Sequence, residues 1–109
     1  MDKIYEIFIG INSNHELDRG VVEYKILKND SKTGAAVCSK EGSPGSHTIH
    51  ERALDSQLHY GGNGLHFYTK KESKISEYGK LLDEHMEKVI HKRAMKLKKC
   101  KDKIGKAWR

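Results

Sequence analysis

The chemistry with most residues behind it in this 109-residue chain is cationic. The last 22 residues hold ten basic side chains and a single acid, Asp102. A run that contains Lys88, Lys92, Arg93, Lys96, Lys98, Lys99, Lys101, Lys103, Lys106 and Arg109 can neutralise phosphates. Each neutralised phosphate releases condensed counterions, which gives affinity without reading sequence. Lysine dominates the run, and a lysine is a point charge rather than a bidentate fork, so base readout is not expected. The candidate nucleic-acid contacts are Lys88, Lys92, Arg93, Lys96, Lys99, Lys103 and Lys106. The bland alternative is a solvated helix face, but such faces normally carry balancing acids and this one does not. An acidic protein surface is the other partner that fits.

Histidine and cysteine offer less. Four of the seven histidines, His47, His50, His59 and His66, fall within twenty residues. A structural zinc site needs four ligands in closed geometry, and no CxxC, HExxH or carboxylate-rich spacing supplies them. No metal and no cofactor is expected. Cys38 and Cys100 are too far apart and too few for a disulfide framework. Cys38 reads as a buried strand thiol; Cys100 sits between Lys99 and Lys101, with no histidine close by to activate it. Gly45, Ser46 and Thr48 could receive an anion, although an ordinary capped loop explains them more simply. No catalytic residue is assigned, and an enzyme is the least favoured class.

The elements that must position these groups follow from periodicity. Residues 3–11 alternate: Tyr5, Ile7, Ile9 and Ile11 share one face of a strand, Ile4 and Phe8 the other, so the strand is central. Residues 20–28 and 35–39 read as two more strands, and the three make an antiparallel meander. Thr48-Ile-His-Glu51 has the capping-box pattern, predicting a helix to Tyr60 that stops at Gly61-Gly62. Residues 64–69 are a fourth strand. Beyond Glu72, the residues Ile75, Tyr78, Leu82, Met86, Val89, Ile90, Leu97, Cys100, Ile104, Ala107 and Trp108 fall on one helical stripe, which Arg93 interrupts. One helix over 72–109 would span roughly 55 Å, against about 30 Å for a small domain. It therefore projects from the body, breaks, or has its overhang covered by a second copy. Leu97, Ile104 and Trp108 are the candidate anchors of a homodimer or of a partner groove.

The fold expected is one α+β domain over 1–109, in the order β-β-β-α-β-α. That order is similar to the opening of ribonuclease H-like domains, which hold metal with acids in the first strand, first helix and fourth strand. Here the first strand has Ile7, Phe8, Ile9 and Gly10 at its centre and the fourth ends in Tyr68 and Thr69, so no nuclease activity is implied. Residues 1–69 carry 7 basic and 9 acidic side chains, and residues 70–109 carry 14 and 6, so the positive excess belongs to the C-terminal segment. No run of about 18 apolar residues could cross a membrane. Asp2 and Glu6 interrupt the stretch where a signal peptide needs an apolar core, so a cytoplasmic protein is expected. The function read from these residues is a small non-catalytic protein that binds nucleic acid with low sequence specificity through a basic C-terminal helix. The alternative is a modulator or inhibitor, of phage or mobile-element origin, that docks on a host protein through the same helix.

Overall fold

A computed structural model describes residues 2–60 and 64–108. Its strands are β1 (Lys3–Ile11), β2 (Leu17–Asp30), β3 (Ala35–Lys40), β4 (Ser43–His50), β5 (Leu58–Tyr60) and β6 (Gly64–Thr69). They form one antiparallel sheet in the order β4-β3-β2-β1-β6-β5. Helix α1 (Ile75–Lys92) and the single turn α2 (Lys98–Lys101) follow. β2 has 14 residues, about 46 Å at roughly 3.3 Å each if fully extended, and the longest dimension of the structure is 48 Å.

This sheet overturns the expected three-stranded meander, helix and fourth strand. Residues 43–60 hold two strands and a 3-10 turn (Glu51–Ala53), not a helix. Thr48 pairs with Val37 in the β3–β4 ladder, and the turn that contains Glu51 starts from His50 without a side-chain cap. The outer backbone groups of β3 need partners, and β4 supplies them. Pro44 is tolerated because β4 is an edge strand and the register shifts beside it, between Cys38 and Lys40. Gly61 and Gly62, the expected helix stop, lie outside the described residues.

β1 lies between β2 and β6, as apolar residues on both its faces require. One face buries Tyr5, Ile7, Ile9, Leu65 and Phe67 against Ile75, Leu82, Met86 and Ile90 of α1. The other buries Ile4, Tyr24, Ala36, Cys38 and Ile49. β4 and β5 are opposite edges, so residues 51–57 cross the end of the sheet; there Leu54 packs on the second cluster and bridges to Tyr68.

The single helix over 72–109 is the second correction. α1 ends at Lys92, and Arg93 leaves helical geometry at φ −127°, ψ 35°. A straight continuation would carry Leu97 and Cys100 past the sheet into water. The break turns both back into the core beneath α1, where they are 0% and 1% exposed. Burying a leucine side chain is worth about 1.5–3 kcal/mol, which favours the break. Among the described residues no helix is long and apolar enough to cross a membrane.

Candidate nucleic-acid interface

The segment after the break is strapped down at one carboxylate. Asp83, on the flank of α1, accepts from Arg19 Nη2 (3.1 and 2.9 Å), from the Gly105 N–H (3.2 Å) and from Trp108 Nε1 (3.0 Å). Arg19 Nη2 also donates to the Lys106 carbonyl (3.1 Å), and its guanidinium carbon lies 3.8 Å from the centroid of the Trp108 ring. Arg19 Nε is buried with no hydrogen-bond partner among the described residues. Gly79 is the seat of the indole: a Cβ there would stand 2.6 Å from Trp108 Cγ and Cδ2. Leu97, Ile104 and Trp108, expected to anchor a second chain, therefore pack into or against the core of their own chain. The sequence reading missed Arg19 and Asp83; its one clue was an acid bordering the apolar stripe at Leu82.

The strap arranges the lysines. Lys88 and Lys92 occupy the last turns of α1, Arg93 caps it, and Lys96 sits in the turn that follows. Lys98, Lys99 and Lys101 are on α2, and Lys103 and Lys106 lie in the strap. All nine are exposed. The ion pairs among the described residues are Lys3–Glu23, Arg19–Asp83, His66–Glu6 and Lys74–Glu77, so none of the nine is paired with a carboxylate there. Lys103 Nζ donates to the Leu17 carbonyl (3.3 Å), which pins it toward the β1–β2 hairpin. A groove between α1 and α2 gathers Lys88, Lys92, Lys98 and Lys101 around Ile90 and Met95, with Glu84 and Glu87 on the α1 wall. Met95 is 94% exposed on its rim. The cations also complement the partial negative charge at the C-terminal end of α1.

A second polar centre lies on the sheet face away from α1. Glu6 of β1 is 8% exposed. Its Oε2 is 2.7 Å from His66 Nδ1, and the Tyr24 hydroxyl donates to its Oε1 (3.2 Å). Burial alone would raise the Glu6 carboxyl; the bond and electrostatic pull of His66, with the Tyr24 and Tyr68 hydroxyls, outweigh burial and hold it below its ordinary 4.5. Burial, then the Glu6 carboxylate, pushes the Tyr24 phenol up to about 12, and Tyr68 is raised in the same way. A carboxylate that orients an imidazole is half of a proton-transfer device. The thiols do not complete it: burial raises both Cys38 and Cys100 above the ordinary value and disfavours the reactive thiolate. The sequence clue to this centre was one acid between Ile4 and Phe8 in an apolar strand.

The remaining histidines of the cluster are dispersed. His47 faces Ser43 on β4, His50 ends that strand and His59 is exposed on β5. Among the described residues no three histidines, cysteines or acids are grouped to hold a metal ion. No family model matches this chain, and no curated protein or solved structure matches it either.

Proposed function

We propose that the protein binds nucleic acid without strong sequence specificity and without catalysis, through the cationic cap that closes its C-terminal end. The contacts are Lys88, Lys92, Arg93, Lys96, Lys99, Lys103 and Lys106, joined by Lys98 and Lys101 of α2. The observation that carries this reading is the absence of carboxylate partners for these exposed cations among the described residues. A surface folded to hold like charges together, unpaired, is stabilised by an anionic partner. Polyphosphate chemistry suits lysine, because each contact needs charge and not bidentate geometry. Docking on a host protein loses support, since Leu97, Ile104 and Trp108 are engaged within the chain. Free, buried Cys38 and Cys100 suit the reducing cytoplasm.

Charge reversal tests the reading. Lys96→Glu with Lys99→Glu, and separately Lys88→Glu with Lys92→Glu, alter exposed positions. In an electrophoretic shift at about 50 mM salt, each pair weakens binding of a duplex strongly and lowers the salt slope by about 2. The Lys96/Lys99 variant keeps the wild-type melting temperature; the Lys88/Lys92 variant melts several degrees lower, because two acids replace cations at the C-terminal end of α1. Undiminished binding by both refutes the cap. A single protein recovered stoichiometrically from the native cell, in a complex that tolerates moderate salt, would favour the modulator instead.

A further inference from the structure

The sheet face away from α1 carries a continuous row of rings that the cationic cap does not use. Neighbouring centroids are 5.2 Å apart for Phe8–Tyr60, 5.6 Å for Tyr60–His66, 5.0 Å for His66–Tyr68, 6.3 Å for Tyr68–Tyr24 and 5.5 Å for Tyr24–His47. The row runs from β5 to β4, and the apolar cluster of this face contains no residue of α1 or α2.

Its β5 end is built differently from the rest. Gly20 stands opposite Phe8 in the β1–β2 ladder, and a Cβ on Gly20 would lie 3.4 Å from Phe8 Cζ. A Cβ on Gly10 would lie 3.1 Å from Tyr60 Cδ2. Each ring thus lies across bare backbone. Covering strand glycines accounts for the inner faces of these rings. Among the described residues the other ring contacts of these two are with each other and, for Tyr60, with His66, and both residues are half-buried. They do not stack on each other: the planes are tilted 35°, whereas Phe67 and Tyr78 in the core lie 4.3 Å apart at 7° and use each other's faces.

Asp18 stands opposite Gly10 in the ladder, so it borders this floor, and it is exposed. Its charge contributes, after burial, to the raised Tyr60 phenol. Unlike Glu6, which His66 and Tyr24 occupy, Asp18 has no hydrogen-bond partner among the described residues.

The geometry points to a stacking site for an unpaired base of single-stranded nucleic acid on Phe8 and Tyr60, with the Asp18 carboxylate accepting from the base's exocyclic amine. This rests on the nucleic-acid reading above and adds strand state and base class to it. An unpaired base offers its π-face to a ring; a base stacked inside a duplex does not. The carboxylate repels phosphate, so the floor takes the base and not the backbone. A carboxylate accepts from the exocyclic amine of cytosine and is repelled by the O4 that thymine carries at the same position.

Fluorescence anisotropy with labelled oligo-dC, oligo-dT, oligo-rC, an abasic strand of equal charge and a duplex, at about 50 mM salt, tests it. The wild type binds oligo-dC about tenfold more tightly than the abasic strand, and more tightly than oligo-dT. Oligo-rC against oligo-dC reports the sugar. Tyr60→Leu and Phe8→Leu, which keep the glycines covered, each lose about tenfold on oligo-dC and nothing on the duplex. Asp18→Asn removes the preference for dC over dT. Equal affinity of the wild type for the abasic strand and oligo-dC, or folded leucine variants that bind oligo-dC as the wild type does, overturns the stacking site and leaves the cap standing. A wild type that binds neither strands nor duplex overturns both.

Discussion

Removing the Asp83 carboxylate should release the strap and unseat Trp108. The side chains of Arg19 and Asp83 are each 11% exposed, so solvent screens their pairing little. Asp83→Ala leaves a buried guanidinium without its counter-charge, a loss of about 3–5 kcal/mol for pairs of this kind. The Gly105 and Trp108 N–H groups lose their acceptor as well, at about 1 kcal/mol each. Arg19 keeps the Lys106 carbonyl, and the freed segment can hydrate, which returns part of the loss. About 3 kcal/mol is the resulting figure, and for a chain of this length it lowers the melting temperature by roughly 12 °C or more. Trp108 is the only tryptophan, so its emission reports the strap alone and should move to the red. Circular dichroism melts give the stability and fluorescence gives the seat. If Asp83→Ala melts within about 2 °C of the wild type with unshifted emission, the carboxylate is not what holds the segment. Arg19→Met combined with Asp83→Leu should recover the part of the loss that comes from the unpaired charge, because a packed apolar pair replaces a buried ionic one at little cost, and not the part that comes from the Gly105 and Trp108 N–H groups.

Gly79→Ala should destabilise, although helix propensity alone would favour alanine by about 1 kcal/mol, because the new methyl would overlap the indole; a lower melt with a red-shifted Trp108 checks it. Leu97→Ala should cost about 2–5 kcal/mol in a dilute thermal melt, since Leu97 is fully buried within its own chain. A leucine serving only a contact between chains would leave that melt unchanged. Glu6 titrates lower in the folded chain than unfolded, so its contribution is present above its ordinary 4.5 and lost as pH falls through the depressed folded value. Glu6→Gln should therefore show a shallower fall in melting temperature between about pH 5 and about pH 3 than the wild type, and an unchanged slope would contradict the assignment.

Much of the sheet was legible because its signals are local. The alternation of β1 marks a central strand, the apolar pairs of β2 mark their faces, and β6 falls on residues 64–69. The register of α1 through Tyr78, Leu82, Met86 and Ile90 follows from helical spacing alone. β4 was not legible: SPGSHTIH has one buried apolar residue, Ile49, and its strand state depends on pairing with a distant β3. Thr48 and Glu51 carry a helix-start pattern that the ladder overrides. The interruption at Arg93 left a break open, but the reversal there was hidden, because the stripe from Ile75 to Trp108 suits one helix as well as a helix folded back on itself. What decides is the finite width of the sheet, a tertiary quantity. The cationic run was plain in the sequence, whereas Asp83, Arg19 and the Glu6–His66 pair become a clasp and a centre only when strands far apart in sequence meet.

The proposal that the cap binds nucleic acid is tested most directly by the salt dependence of affinity for a random-sequence duplex. With about six phosphates engaged, affinity should fall roughly a thousandfold between about 50 and about 200 mM salt, with little change when the duplex sequence is altered. No binding at about 50 mM salt, or an affinity that hardly changes across that range, would contradict the account.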